Sequence, residues 1–350
     1  MNILGIETSC DETSAAVVRD GSEVLSNVVL SQIELHSPYG GVVPEIASRT
    51  HVEHLPAVVD RAVEDAGLEW SDIDGVASTY GPGLSSSIMI GLSTGKALSM
   101  RLKKPFYAVD HIRAHIYSAF LGDGVRMEDS YPFAALVVSG GHTLYFRVDE
   151  TQEKLLGQTI DDAAGEAFDK AASLLGLGYP GGPVIDKISK EADKTYVKFP
   201  RIKIKARSKF LQGFDPEMCC SFSGLKTALM YYLKDNPLDP GDEQRRADIA
   251  ASFQEAVIDV LVDKAERACE GLDTMVVGGG VSLNSRLRER LSSMTEEKGV
   301  KLLLAKPAHC GDNAAMIAGY ASTGKSAMEE EALQLDATPN INYAERRMTV

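Results

Sequence analysis

Two histidines four residues apart open the question of chemistry. His111 and His115 lie in Asp110-His-Ile-Arg-Ala-His115, behind Lys104–Asp110, a short apolar run entered through Pro105 that reads as a strand. Ile116–Phe120 continues without Gly or Pro, so a helix is expected here. At i and i+4 the two rings share a face, with Cβ atoms roughly 5–6 Å apart. Two imidazoles so placed can meet one metal ion at about 2.0–2.1 Å if a third ligand arrives from elsewhere. Asp312, in Pro307-Ala-His-Cys-Gly-Asp-Asn-Ala-Ala-Met316, is the candidate. It stands just before an Ala-rich helix, where capping the helix N-terminus is the simpler role for an aspartate.

Next come two turns of matching design. Ile3–Thr8 and Thr13–Val18 are strand-like and flank a polar tip that carries Ser9, Asp11 and Glu12. Hydroxyls and amides at such a tip can hold a phosphate, and Asp11 or Glu12 can serve a metal or a proton transfer. Phe133–Val138 and Thr143–Val148 repeat the pattern around Ser139-Gly-Gly-His142. Two such units in one chain suggest an internal duplication. Glycine lets successive N–H groups converge on an anion, so Ser139, Gly140 and Gly141 form a candidate nest. Hairpins of this kind serve as phosphate clamps in the sugar kinase/Hsp70/actin architecture.

The elements that would position these groups follow in order. Glu45–Gly67 reads as an amphipathic helix with a kink or join at Pro56, its His51 and His54 serving packing or surface roles. A strand over Val76–Tyr80 turns at Gly81-Pro-Gly83 into a helix from Ser85. Thr159–Lys170 starts an acidic helix in which Glu166 and Asp169 lie i,i+3 and can point to one side together, a solvated acidic face being the simpler role. Gly176–Pro183 is expected to be irregular, and with Asp186 beside it suits the ribose of a nucleoside. A long helix spans Asp248–Cys269. After the strand Thr274–Val277, Gly278-Gly-Gly280 leads into a helix through Asn284, whose amide can meet a base or a phosphate. The tail after Tyr320 carries no readable signal.

Composition bounds the class. The chain has 350 residues, 44% hydrophobic and 25% charged, enough for one large or two medium domains. No apolar run is long enough to span a membrane, and the chain opens in a strand-like run, so no leader is expected. Five unevenly spaced cysteines fit a reducing cytoplasm better than a disulfide framework. A net charge of −14 opposes non-specific nucleic-acid binding. The exception is Lys194–Lys209, where Arg201, Lys203, Lys205, Arg207 and Lys209 alternate with uncharged residues and would line one edge of an extended segment.

Taken together the motifs resemble the tRNA N6-adenosine threonylcarbamoyltransferase family (bacterial TsaD/Gcp type). The matching stretches are Gly5–Thr13, Gly41–Glu45 with Ser48–His51, Gly81–Leu84, Asp110–His115, Val138–His142, Gly165–Lys170, Tyr179–Pro183, Ser221–Thr227, Gly278–Asn284 and Cys310–Asn313. They keep the family's order from residue 1 to about 320. One departure is Ile202, where the family usually has proline.

The resemblance implies an α/β, actin-like, two-lobed fold with duplicated ribonuclease-H-like lobes. Residues 1–112 with 310–350 would form the N-terminal lobe and 113–309 the C-terminal lobe, with ligand and metal in the cleft. It implies one metal ion, iron(II) ahead of zinc, on His111, His115 and Asp312. Threonylcarbamoyl-adenylate would be held by Val137, Val138, Ser139, Gly140, Gly141, Asp169, Gly182, Asp186 and Asn284. The adenosine following the tRNA anticodon would attack its carbamoyl carbon, with Glu12 or Asp11 as proton acceptor. A paralogous TsaB-type subunit and a small TsaE-type P-loop ATPase are the expected partners. Two other classes compete. A zincin peptidase needs His-Glu-x-x-His, whereas residues 112–114 are Ile-Arg-Ala. A sugar or acid kinase would share the hairpins but has no use for the His/His/Asp set.

Overall fold

The computed structural model describes residues 1–122, 124–205, 211, 213–343 and the backbone of 348–349. The chain divides into two compact units, Met1–Ser130 with Ala305–Tyr343, and Tyr131–Leu304 with Ala344–Val350. The division expected after residue 112 would cut the helix His111–Tyr117, all of which belongs to the first unit.

In the first unit, β1 (Asn2–Glu7), β2 (Glu12–Arg19) and β3 (Glu23–Ser31) form an antiparallel meander. β4 (Gly75–Gly81) and β5 (Phe106–Asp110) then add in parallel on the other side of β1. The order is β5-β4-β1-β2-β3, and Ala327–Met328 pairs antiparallel along the free edge of β5. The central strand is apolar on both faces because both are covered: Ile3, Leu4 and Ile6 are fully buried. Helices Pro44–Asp65 and Ser85–Leu102 supply one cover, and the first runs on through Pro56. Helix Ala314–Ala321 covers the other face so closely that a Cβ on Gly5 would meet Ala318 N at 2.9 Å.

The second unit repeats the plan. β6 (Phe133–Val138), β7 (Thr143–Val148) and β8 (Gln152–Gln158) make the meander, while β9 (Thr274–Gly278) and β10 (Lys301–Leu304) add in parallel beside β6. The order β10-β9-β6-β7-β8 matches the first sheet strand for strand. The duplication expected from the two hairpins is therefore present at the level of topology. Its core is organised on the helix Glu243–Ala268, of which Ile249, Phe253, Val257 and Leu261 are fully buried.

Two boundaries differ from expectation for local reasons. A helix, Gly181–Ser189, begins inside the Gly/Pro-rich run, since Pro183 falls in its first turn, where a missing N–H costs nothing. The acidic helix starts at Ala164 rather than Thr159, after Asp161 is drawn into capping Phe222 and Ser223. Among the described residues no helix is long and apolar enough to cross a membrane.

Candidate metal centre and nucleotide-holding loops

In both sheets the parallel strands end on the same side, the usual place for ligands in α/β folds. In the first unit β1 ends at Glu7, β4 at Gly81 and β5 at Asp110. Asp110 caps the next helix, accepting from the N–H of Ile112 at 2.9 Å and of Arg113 at 3.3 Å, a cap worth about 1 kcal/mol. Both oxygens of Asp110 also accept from Tyr343 Oη, at 2.9 and 3.1 Å. The tail, which carried no readable signal in the sequence, thus buttresses the histidine helix.

His111 and His115 are buried in that helix, their ring centroids 4.5 Å apart at 79°. Asp312 arrives from the chain before helix Ala314–Ala321. The cap of that helix is Asn313, whose side chain accepts from Met316 N at 3.2 Å. Its Oδ1 lies 3.1 Å from His115 Nε2 and 3.6 Å from His111 Nε2. One ligand atom from each of the three residues falls within 4.8 Å of the others. Bonds of about 2.0–2.1 Å to one ion require separations no greater than roughly 4 Å, which both contacts to Asp312 already satisfy. Two imidazoles and a carboxylate, two of them buried and the third part-exposed, fit a divalent metal ion with positions left open to ligand.

The electrostatics agree with a site arranged for a cation. Burial opposes charge on either ring. At His111 the carboxylates of Asp312 and Glu7 overcome it and push the imidazole up to about 9. At His115 burial, joined by the charge on His111, holds it below the ordinary value. Glu7 is fully buried, and although burial works to raise its carboxyl, His111 keeps it lowered.

At the tip of the first hairpin the hydroxyls face inward. Thr8 donates to the Ser87 carbonyl at 2.7 Å, and Ser9 Oγ lies 3.2 Å from His111 Nδ1. His51, expected only to pack, bonds Thr13 Oγ1 at 2.8 Å and the Cys10 carbonyl at 3.0 Å, fixing the tip. Asp11 is buried and Glu12 half-buried at the first residue of β2. Burial, and then the charges of Asp312, Asp11 and Glu7, push the Glu12 carboxyl well above its usual range.

The second hairpin is built differently. Gly165 N–H donates to the Ser139 carbonyl and Glu166 N–H to the Gly140 carbonyl, each at 3.2 Å. In a planar trans peptide the N–H points opposite the carbonyl, so the amides of Gly140 and Gly141 are turned away from the helix together. Both glycines are exposed, with nothing within 4 Å of where a Cβ would stand. Val137 and Val138 are buried at the end of β6, against Gly279 at φ 95°, where a side chain would overlap Val138.

The remaining expected residues connect to this loop through the helices. Asp169 accepts from Gly181 N at 2.7 Å, next to the open position at Gly182. Asp186 accepts from Ser285 N at 3.1 Å and Ser285 Oγ at 2.8 Å. Asn284 is buried, with Oδ1 capping Leu287 N at 3.0 Å and Nδ2 donating to Gln254 at 2.7 Å. Each atom keeps capacity beyond these bonds, a second lone pair on Oδ1 and a second N–H on Nδ2.

The basic run divides. Lys203 and Lys205 are exposed, alternating with half-buried Ile202 and Ile204. Arg201 leaves the expected cationic edge, because its guanidinium pairs with Asp259. Arg207 and Lys209 lie outside the described residues.

A chain of two sheets with this shared order has the actin-like α/β fold. The structure of (R)-2-hydroxyglutaryl-CoA dehydratase component A from Acidaminococcus fermentans shares it, with a TM-score of 0.53 over 93% of this chain and 98% of that one at 16% identity. The sequence narrows the class. The model of the TsaD family, tRNA N6-adenosine threonylcarbamoyltransferase, matches residues 23–319. Enzymes of that name from Trichlorobacter lovleyi and Dictyoglomus turgidum are 48% and 47% identical, over 97% and 99% of this chain and 96% and 100% of theirs. The chain belongs to the TsaD family.

Proposed function

We propose that this chain transfers the threonylcarbamoyl group of threonylcarbamoyl-adenylate to the exocyclic amine of the adenosine following the anticodon, in tRNAs that read codons beginning with A. The amine attacks the carbamoyl carbon and the bond from that carbon to the phosphate oxygen breaks. AMP leaves with the electron pair, and the amine gives up one proton. The observation that carries this reading is family membership joined to a convergent His111/His115/Asp312 group.

Each part of the reaction has a residue assigned to it. His111, His115 and Asp312 would hold the metal, iron(II) ahead of zinc, a preference that suits two histidines and one carboxylate. When bound, the ion supplies Lewis acidity toward the acyl or phosphoryl oxygens. Glu12 takes the proton of the attacking amine, with Asp11 as the alternative. Its raised carboxyl supports this, because a base nearer neutrality is the stronger acceptor. The amides of Gly140 and Gly141, with Ser139 and the β6 end at Val137 and Val138, receive charge on the AMP leaving group. Gly182 gives the nucleoside close approach, while Asp169 and Asp186 accept from its hydroxyls. Asn284 meets the adenylate with the amide capacity that its bonds to Leu287 and Gln254 leave over. Lys203 and Lys205 meet tRNA phosphates.

A TsaB-type actin-like subunit and a TsaE-type ATPase are assigned as partners, and the cytoplasm, where tRNA resides, as the compartment; no disulfide forms among the described residues. The full-length protein, given tRNA, threonylcarbamoyl-adenylate and those partners, should form the modified adenosine. Metal-dependent peptide cleavage or phosphoryl transfer to a small alcohol, lost with the same residues, would overturn the assignment.

A further inference from the structure

The two metal-facing imidazoles are held in unlike ways. His115 Nδ1 is buried without a partner among the described residues. His111 Nδ1, by contrast, stands 2.9 Å from Glu7 Oε2. Glu7 ends the central strand of its sheet and is 0% exposed. The hydroxyl of Thr79 donates to the same Oε2 at 2.7 Å, and Ser9 N–H donates to Oε1 at 2.5 Å. Both oxygens therefore act as acceptors, and an ionised carboxylate can do nothing else. His111 must then carry a proton on Nδ1, so that the neutral ring has its lone pair on Nε2, the nitrogen that faces Asp312.

We propose that Glu7 is a positioning residue for the metal centre: it fixes the tautomer and ring plane of His111 so that Nε2 is the ligating atom. The inference rests on the metal reading above and deepens it. Thr79 and Ser9 would suffice to satisfy a carboxylate that only tied β1 to β4, yet Glu7 also turns Oε2 to the imidazole. A carboxylate behind a ligating histidine raises its basicity and restricts its rotation, and losing such a partner costs about 10–100-fold in metal affinity. The sequence signal was slight, a single glutamate closing the run Ile3-Leu-Gly-Ile6, where it passes for a solvated strand end.

Two measurements on the full-length protein test this, with zinc(II) as the probe. In competition with a chromogenic chelator, Glu7→Gln should bind zinc about 10–100-fold more weakly than the wild type. Independently, the ring nitrogens of ¹⁵N-histidine-labelled, zinc-loaded wild-type protein should report His111 protonated at Nδ1 and coordinated through Nε2. This second reading needs no variant to fold. Coordination of His111 through Nδ1, or equal zinc affinity in Glu7→Gln, would overturn the role of Glu7 alone. A wild-type chain that takes up no zinc or iron would overturn the metal reading, and this inference with it.

Discussion

The turn between β1 and β2 and the turn between β6 and β7 occupy the same place in two sheets of the same order, yet their polar groups face opposite ways. In the first, Thr8, Ser9 and the Cys10 carbonyl are bonded to Ser87, His111 and His51, and the carboxylates of Asp11 and Glu12 stand beside them. In the second, the carbonyls of Ser139 and Gly140 are bonded to a helix start, and two glycine amides are left open. One scaffold thus yields an acidic, imidazole-bearing end and an amide-bearing end. A cation and proton chemistry suit the former, an anion the latter. The choice was made by side chains of two to four residues, not by the fold.

Substitutions can break that division of labour, and the largest effect is expected at the carboxylate of the first turn. Glu12→Gln should lower the transfer rate by about 10²–10⁴-fold, the usual contribution of a general base, with metal content unchanged. Because the folded carboxyl sits well above its ordinary value, the base form appears only as pH rises. Wild-type rate should therefore climb with pH through that raised value, and the variant should lose the limb. An identical pH profile in both would remove Glu12 from the proton transfer.

Asp312→Ala comes next. Losing a ligand should exceed the about 10–100-fold in metal affinity that outer partners contribute. Elemental analysis of the purified variant is the check, and full metal retention would return Asp312 to a purely structural place. In the other unit, Gly279→Ala puts a Cβ against Val138 at a φ of 95°. That should cost on the order of 1–3 kcal/mol, read as a lower melting temperature and weaker AMP binding. Metal content should hold, and loss of metal there would refute the separation of roles.

The smallest effect belongs to the basic segment. If Lys203 and Lys205 contact phosphates, reversing both to Glu should flatten the dependence of log affinity for tRNA on log salt by about 0.7–0.9 per contact. An unchanged slope would place the tRNA surface elsewhere.

Much of the site was legible because helical spacing is geometric. His111 and His115 could be paired on sight, and Asp312 could be nominated as their third, but sequence could not choose between ligand and cap. The neighbour Asn313 holds the cap, since an asparagine does so as well as an aspartate, and the ligand role of Asp312 is the one proposed above. Asn284 shows the converse: a capping amide and a ligand-binding amide look alike in sequence, and its partners, Leu287 and Gln254, take up only part of its hydrogen-bonding capacity. The duplication was readable from two hairpins, whereas the tail was not. Tyr343 acts on Asp110 across 233 positions, a relation that no local pattern carries.

The discontinuity of the first unit has a consequence for how the protein is made. Its helix Ala314–Ala321 and edge strand Ala327–Met328 are translated only after the whole of β6 to β10. At about 5–20 residues per second, His115 leaves the ribosome roughly 10–40 s before Asp312. During that interval β1 lacks the helix that covers one of its faces, and the histidine pair lacks its carboxylate. The second unit's sheet, apart from Met348–Thr349, can meanwhile assemble from contiguous chain. β1 is therefore made before β6 to β10 and covered after them, and the three proposed metal ligands come together only once Asp312 has been made.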